Sequence, residues 1–144
     1  MSEKPLIARL TLADADATTA LGAAFLACLA PSDVILLEGH IGAGKTHFAR
    51  AVIQGLMAED GPVEDVPSPT FTLVQTYETA RGEVWHADLY RLTSPQEVDE
   101  LGLTDAFETA ICLVEWPDRL GALTPKAALH MAFALEGEGR VVEI

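Results

Sequence analysis

The chain has no asparagine, only two cysteines, and nine lysines and arginines against 22 aspartates and glutamates. Each shortage removes a class of function. Without asparagine there is no N-K-x-D segment to read guanine, and Lys4, Lys45 and Lys126 all lack an aspartate two positions on. Asp99-Glu100-Leu101-Gly102 matches D-x-x-G, but in a predicted helix rather than at a strand end, so a Ras-like reading fails. Cys28 and Cys112 lie far apart with no C-x-x-C partner, which leaves a disulfide framework or zinc site unsupported and fits a reducing cytoplasm. A formal net charge of −13 repels a nucleic-acid backbone and argues against a sequence-reading or sliding role. A salt-adapted proteome would produce the same acidity without any functional meaning. No run of apolar residues is long enough to span a bilayer; the alanine-rich stretch from Ala20 to Ala30 suits a core helix. Asp14 and Asp16 interrupt the N-terminal region before a signal-peptide core forms. Repeats are absent, and 144 residues suit a single domain, 1–144, that buries roughly two-thirds of its unfolded surface.

What the chain does have is Gly39-His40-Ile41-Gly42-Ala43-Gly44-Lys45-Thr46, which fits G-x-x-x-x-G-K-S/T at every specified position. Glycines let the backbone curl so that successive N–H groups face an anionic phosphate, and the helix that follows adds partial positive charge. In such a loop Lys45 reaches the β- and γ-phosphates and the Thr46 hydroxyl ligates Mg²⁺. The flanks agree. Val34-Ile35-Leu36-Leu37 reads as a buried strand, and Phe48, Ala49, Val52 and Leu56 mark one face of a helix from Thr46 to about Met57. Chance would place these four residues at this spacing in roughly one chain in a few hundred of this length.

The remaining pattern predicts an edge strand over Leu6–Leu12, a helix over Asp14–Ala30 and a strand over Asp33–Glu38. A solvated, proline-rich acidic loop follows over Ala58–Pro69. Strands over Thr70–Glu78 and Glu83–Asp88 turn at Ala80-Arg81-Gly82 into a hairpin. Ser94-Pro95-Gln96-Glu97 starts a helix to about Leu101, with a capping serine and proline at the first helical position. Ala110–Glu115 reads as a buried parallel strand, and Ala127–Leu135 with Arg140–Ile144 as a closing hairpin. Strand–helix alternation in the middle with hairpins outside implies an α/β fold. It is a three-layer P-loop NTPase sandwich with a mixed, mainly parallel sheet and antiparallel edge strands.

Three further clusters bear on chemistry. Ile111-Cys112-Leu113-Val114-Glu115 ends a strand in a carboxylate, where a P-loop enzyme needs an acid for Mg²⁺; many strands end so, and the loop gives this one its meaning. Trp116, next in the chain, suits the wall of the nucleotide pocket or plain core. His86 and Asp88 alternate onto one strand face, where they orient a water or a metal-bound oxygen, or else cap and bond locally. Ser68-Pro69-Thr70-Phe71 closes the acidic loop on a hydroxyl, as a switch segment reaching the γ-phosphate does, or as an ordinary strand start.

Taken in order, Gly39–Thr46, Ser68-Pro69-Thr70-Phe71-Thr72-Leu73-Val74, Asp88-Leu89-Tyr90-Arg91-Leu92 and Leu113-Val114-Glu115-Trp116-Pro117 resemble the TsaE (YjeE) family over nearly the whole chain. The resemblance implies a small, slowly hydrolysing ATPase that binds ATP, ADP and Mg²⁺. It implies action with TsaB and TsaD, which place threonylcarbamoyl on adenosine 37 of ANN-decoding tRNAs, the tRNA being met only through that complex. By the same resemblance Thr46 and Glu115 hold the metal, Asp88 serves hydrolysis, and Thr70 lies in a switch. Asp14, Trp116, Gly139 and Arg140 approach the nucleotide alongside the loop. His40 stands where relatives usually carry an acid, at a position whose backbone does the binding. Ala87 replaces a bulkier apolar residue beside Asp88.

A small-molecule kinase is the rival reading, because it too needs a P-loop. Such kinases add an arginine-bearing lid, whereas the six arginines here are scattered and form no R-x-x-R cluster. A nucleotide-dependent binding module that switches a partner without turnover overlaps the family reading, since a lone domain with no evident arginine finger hydrolyses slowly.

Overall fold

The computed structural model describes residues 7–144. In chain order the elements are β1 (Arg9–Leu12), α1 (Ala15–Phe25), β2 (Val34–Glu38), α2 (Lys45–Met57), β3 (Val74–Thr79) and β4 (Gly82–Asp88). There follow α3 (Pro95–Glu100), α4 (Leu103–Thr109), β5 (Ile111–Glu115), a 3₁₀ segment (Pro117–Leu123), β6 (Leu129–Glu136) and β7 (Gly139–Glu143). The strands form one seven-stranded sheet in the order β1-β7-β6-β2-β5-β4-β3. β6, β2, β5 and β4 run parallel, and the outer pairings β1·β7, β7·β6 and β4·β3 are antiparallel. This is the mixed α/β architecture that the alternation of elements predicts.

Period-two alternation in the central strands builds the layers. Ile35 and Leu37 of β2 pack with Leu113 of β5 against Phe48, Val52 and Leu56 of α2. Val34 and Leu36 point the other way, joining Cys112, Val114, Val98, Leu103 and Phe107 beneath α3 and α4. A strand buried on both faces reads as a continuous apolar run, which is why β2 and β5 show no polar interruption before their last residue. α1 completes the first layer, with Phe25 meeting the Phe48 ring edge-on at 5.4 Å.

The structure departs from the sequence reading in four places. α1 stops at Phe25 rather than Ala30; turns carry the chain to Pro31, which disfavours helix in the residue before it, and the Asp33 carboxylate accepts from the Ala30 N–H. β3 begins at Val74 because residues 70–73 form a turn, with Leu73 left-handed at φ 70° and its N–H on the Pro69 carbonyl. α4 and the 3₁₀ segment are additional to the expected elements; left-handed Gly102 separates α4 from α3. The edge strand spans Arg9–Leu12, and Leu6 of the expected range lies outside the described residues.

Burial distinguishes the two thiols. Cys28 is exposed, whereas Cys112 is buried in β5, where desolvation, with the Glu83 charge as a smaller cause, pushes its thiol up to about 12. Iodoacetamide at mildly alkaline pH should therefore label the native protein at Cys28 alone, and denatured protein at both thiols. Native labelling of Cys112 at the rate of Cys28, read by peptide mass spectrometry, would contradict this packing.

Candidate functional site

Three strand ends meet at one edge of the sheet. β2 runs out into the glycine loop, and Glu115 closes β5 opposite Leu37 of β2 and Asp88 of β4. Ligands of open α/β sheets bind at such carboxyl ends. A cavity of about 640 Å³ opens there, lined by loop residues Ile41, Gly42, Gly44, Lys45 and Thr46, by Thr70, Asp88 and Glu115, and by Asp14, Trp116, Gly139 and Arg140. Its size is within the usual range for a small-molecule or cofactor site.

Backbone demands explain the loop glycines. Gly39, Gly42 and Gly44 all have φ between 83° and 139°, the left-handed side where side chains strain. At Gly39 a Cβ would also lie 2.4 Å from the Phe133 carbonyl oxygen of β6. Gly44 caps α2 with no side-chain bond, so the first amides of the helix are left free at the cavity. Lys45 Nζ donates to the Gly39 carbonyl and sits 3.6 Å from the centroid of a Trp116 ring. Desolvation lowers the pKa of this lysine, against the opposing pull of Glu115, Asp88 and Asp118.

The acids hold fixed partners. Thr46 Oγ1 donates to Glu115 Oε1 at 2.7 Å, and the second oxygen, Oε2, lies 2.7 Å from His86 Nε2. Thr70 Oγ1 donates to Asp88 Oδ2 at 3.2 Å, while the Tyr90 N–H donates to Asp88 Oδ1 at 3.0 Å. Ser68 and Thr70 share a hydrogen bond of 2.8 Å, so the end of the acidic loop is tied to Asp88. Arg140 closes the far side, its Nε donating to the Gly42 carbonyl at 3.1 Å. Asp14 caps α1, its Oδ1 accepting from the Ala17 N–H at 2.9 Å.

Of the residues singled out from sequence, Gly39, His40 and Ala43 do not line the cavity. Gly39 and His40 instead shape the loop through their carbonyls, which accept from Lys45 Nζ and from the Ala43 N–H. His86 lies away from the cavity as well, behind Glu115 and fully buried, so it does not face a cavity water. Thr18, His47, Tyr90 and Glu138 line the cavity although the sequence pattern does not single them out as site residues. Tyr90 had a signal, since it follows Asp88 by two residues and its ring meets Trp116 at 4.7 Å. Thr18 had one too, four residues after Asp14 on the same helix face. Among the described residues no group of three His, Cys, Asp or Glu side chains is placed to hold a metal. A site for Mg²⁺ needs fewer, because that ion keeps waters and takes one or two protein ligands beside substrate phosphates.

The family model for threonylcarbamoyl adenosine biosynthesis protein TsaE matches residues 12–142. The chain belongs to the TsaE family. Proteins named tRNA threonylcarbamoyladenosine biosynthesis protein TsaE are similar to it in several bacteria. That of Rickettsia bellii is 40% identical over 112 residues, covering 78% of this chain and 76% of its own. The Nostoc relative is 40% identical over 136 residues, covering 91% and 80%. The crystal structure of YdiB from Bacillus subtilis superposes with a TM-score of 0.76 at 25% identity, covering 98% of this chain and 86% of that one.

Two glycines separate conformational strain from collision. Gly42→Ala should cost about 1–2 kcal/mol of stability from the left-handed backbone alone, since no atom lies within 4 Å of its added Cβ. Gly39→Ala should cost clearly more, because its Cβ must also displace the Phe133 carbonyl. Equal losses in chemical denaturation would contradict this account of the loop.

Proposed function

We propose that this protein binds ATP and ADP with Mg²⁺, hydrolyses ATP slowly, and serves the threonylcarbamoyl modification of adenosine 37 in ANN-decoding tRNAs together with TsaB and TsaD. One observation carries the nucleotide reading: at the mouth of a left-handed glycine loop, Thr46 Oγ1 and Glu115 Oε1 stand 2.7 Å apart beside Asp88. A hydroxyl and a carboxylate at that spacing are a donor set suited to a hard cation. Magnesium held by Thr46 and Glu115 would offset the charge of the β- and γ-phosphates.

The chain's own groups divide the remaining work. The free amides at the start of α2 and the amine of Lys45 bind phosphate; Lys45 turns from the Gly39 carbonyl to do so. Asp88 orients the attacking water, its carboxylate held by Thr70 and the Tyr90 N–H. Trp116, Asp14, Gly139 and Arg140 line the cavity and would border a nucleotide bound there. Thr70 reports nucleotide state to the partner through residues 58–70. That loop leans on α2, with Arg50 donating to the Val66 carbonyl and Gln54 to the Glu64 carbonyl.

The family supports the tRNA-modification setting, and the acidity supports a protein partner, with tRNA met only through the complex. Two unpaired thiols suit the cytoplasm, and among the described residues no helix is long and apolar enough to cross a membrane. Nothing in the cavity favours the kinase reading. Its lining holds one lysine and one arginine, Lys45 and Arg140, and Arg140 is engaged by the loop, so the lining offers no second clamp for an acceptor.

Lys45→Ala should abolish ATP binding in calorimetry; undiminished affinity would contradict the loop's role. Glu115→Ala and Asp88→Ala should keep ADP affinity within about tenfold, roughly 1.4 kcal/mol, while losing most ATP turnover. Wild-type rates in both variants would remove the metal role of Glu115 and the water role of Asp88. In the cell, depletion should strip threonylcarbamoyl adenosine from ANN-decoding tRNAs, read by mass spectrometry of digested tRNA. Unchanged levels, with no redundant ATPase present, would favour the kinase.

A further inference from the structure

His86 is fully buried in β4, outside the lining of the cavity, and is hydrogen-bonded to Glu115 of the site. Its Nε2 lies 2.7 Å from Oε2 of Glu115, itself 2% exposed. Its other ring nitrogen, Nδ1, is buried with no hydrogen-bond partner. A hydrogen on Nδ1 would be stranded in the interior, so a neutral ring is best satisfied with its hydrogen on Nε2, donated to Glu115.

Register explains why this contact matters. Glu115 and Asp88 are direct Cα partners across β5 and β4, so two carboxylates share one face at adjacent strand ends. Like charges placed so repel each other. Each acid has its own pair of donors: Thr70 and the Tyr90 N–H for Asp88, Thr46 and His86 for Glu115. The Thr46 hydroxyl would also serve the ion, whereas the hydrogen bond of His86 is to the carboxylate. It takes Oε2 from behind and so leaves Oε1 facing Thr46 and the cavity.

Building on the magnesium–nucleotide reading above, we propose that His86 is a positioning residue, whose Nε2–H fixes the Glu115 carboxylate in its metal-binding orientation. Partners that hold a metal ligand in place typically carry tenfold to a hundredfold of metal affinity, and His86 stands in that relation to Glu115.

Long-range ¹H–¹⁵N spectra of the nucleotide-free protein should show His86 as the Nε2–H tautomer, with a signal that shifts in Glu115→Gln. Calorimetry with ADP in chelator, and then Mn²⁺ titrated into the ADP complex, separates phosphate binding from metal binding. His86→Leu should keep chelator-phase ADP affinity within about threefold yet bind Mn²⁺ about tenfold more weakly, and His86→Gln, which keeps an N–H donor, should recover most of that loss. An Nδ1–H tautomer, or Mn²⁺ affinity in His86→Leu equal to wild type, would overturn the inference. If His86→Leu fails to fold, the tautomer and His86→Gln decide: an Nδ1–H ring, or a Gln variant as weak for Mn²⁺ as Glu115→Ala, counts against it. Wild-type protein that binds no ADP with or without Mn²⁺ would sink the nucleotide reading itself. Wild-type Mn²⁺·ADP binding with an indifferent His86→Leu would sink only the positioning role.

Discussion

A carboxylate buried at the end of a fully apolar strand must be held by donors, because an isolated buried charge is far costlier than any single packing contact recovers. Glu115 meets that demand with a hydroxyl from α2 on one oxygen and an imidazole from β4 on the other. The bonds reach from β5 into both neighbouring units, so the strand order β2-β5-β4 is what brings them together. Shift β5 by one residue and the acid would face the opposite layer, among Val98, Leu103 and Phe107. Fold and site are therefore set by the same register.

That arrangement makes the mouth of the sheet a concentration of opposite charges in an acidic molecule. Asp14, Asp88, Glu115 and Glu138 border the cavity with Lys45 and Arg140. A polyphosphate entering alone would meet more carboxylate than cation; a divalent ion carried with it would even out that count locally. The free amides of α2 supply the rest without adding a net charge. Steering by the whole-protein field works against an anionic ligand here, so affinity must come from these close contacts.

The parts readable in the sequence were those governed by local rules. The glycine loop announced itself because left-handed backbone and close approach to Phe133 admit little else, and β2 and β5 because strands buried on both sides carry no polar residues. Glu115 stood out as the acid where such a run stops. Thr70–Leu73 misled for an equally local reason: Phe71 and Leu73 keep the alternation of a strand, yet Phe71 is 81% exposed and Leu73 is left-handed, because the chain turns to bring Thr70 to Asp88. α4 had its signal in Leu103, Ala106 and Phe107, spaced as one helix face, but Gly102 and its short length hid it. The place of His86 behind Glu115 depends on the pairing of β4 with β5, two strands separated by two helices in the chain. Alternation put His86 and Asp88 on one face correctly; only cross-strand register decides which of them meets the cavity.

Thr46 and Glu115 are proposed to form one metal-assisted phosphate site at the end of the glycine loop. A crystal structure of the protein with ADP and Mn²⁺, read in the anomalous difference map at the manganese edge, tests it most directly. The diphosphate should lie inside the 39–46 loop, with a single strong peak about 2.1 Å from Thr46 Oγ1 and Glu115 contacting it directly or through one water. A nucleotide bound elsewhere, or a manganese peak out of reach of both side chains, would contradict it.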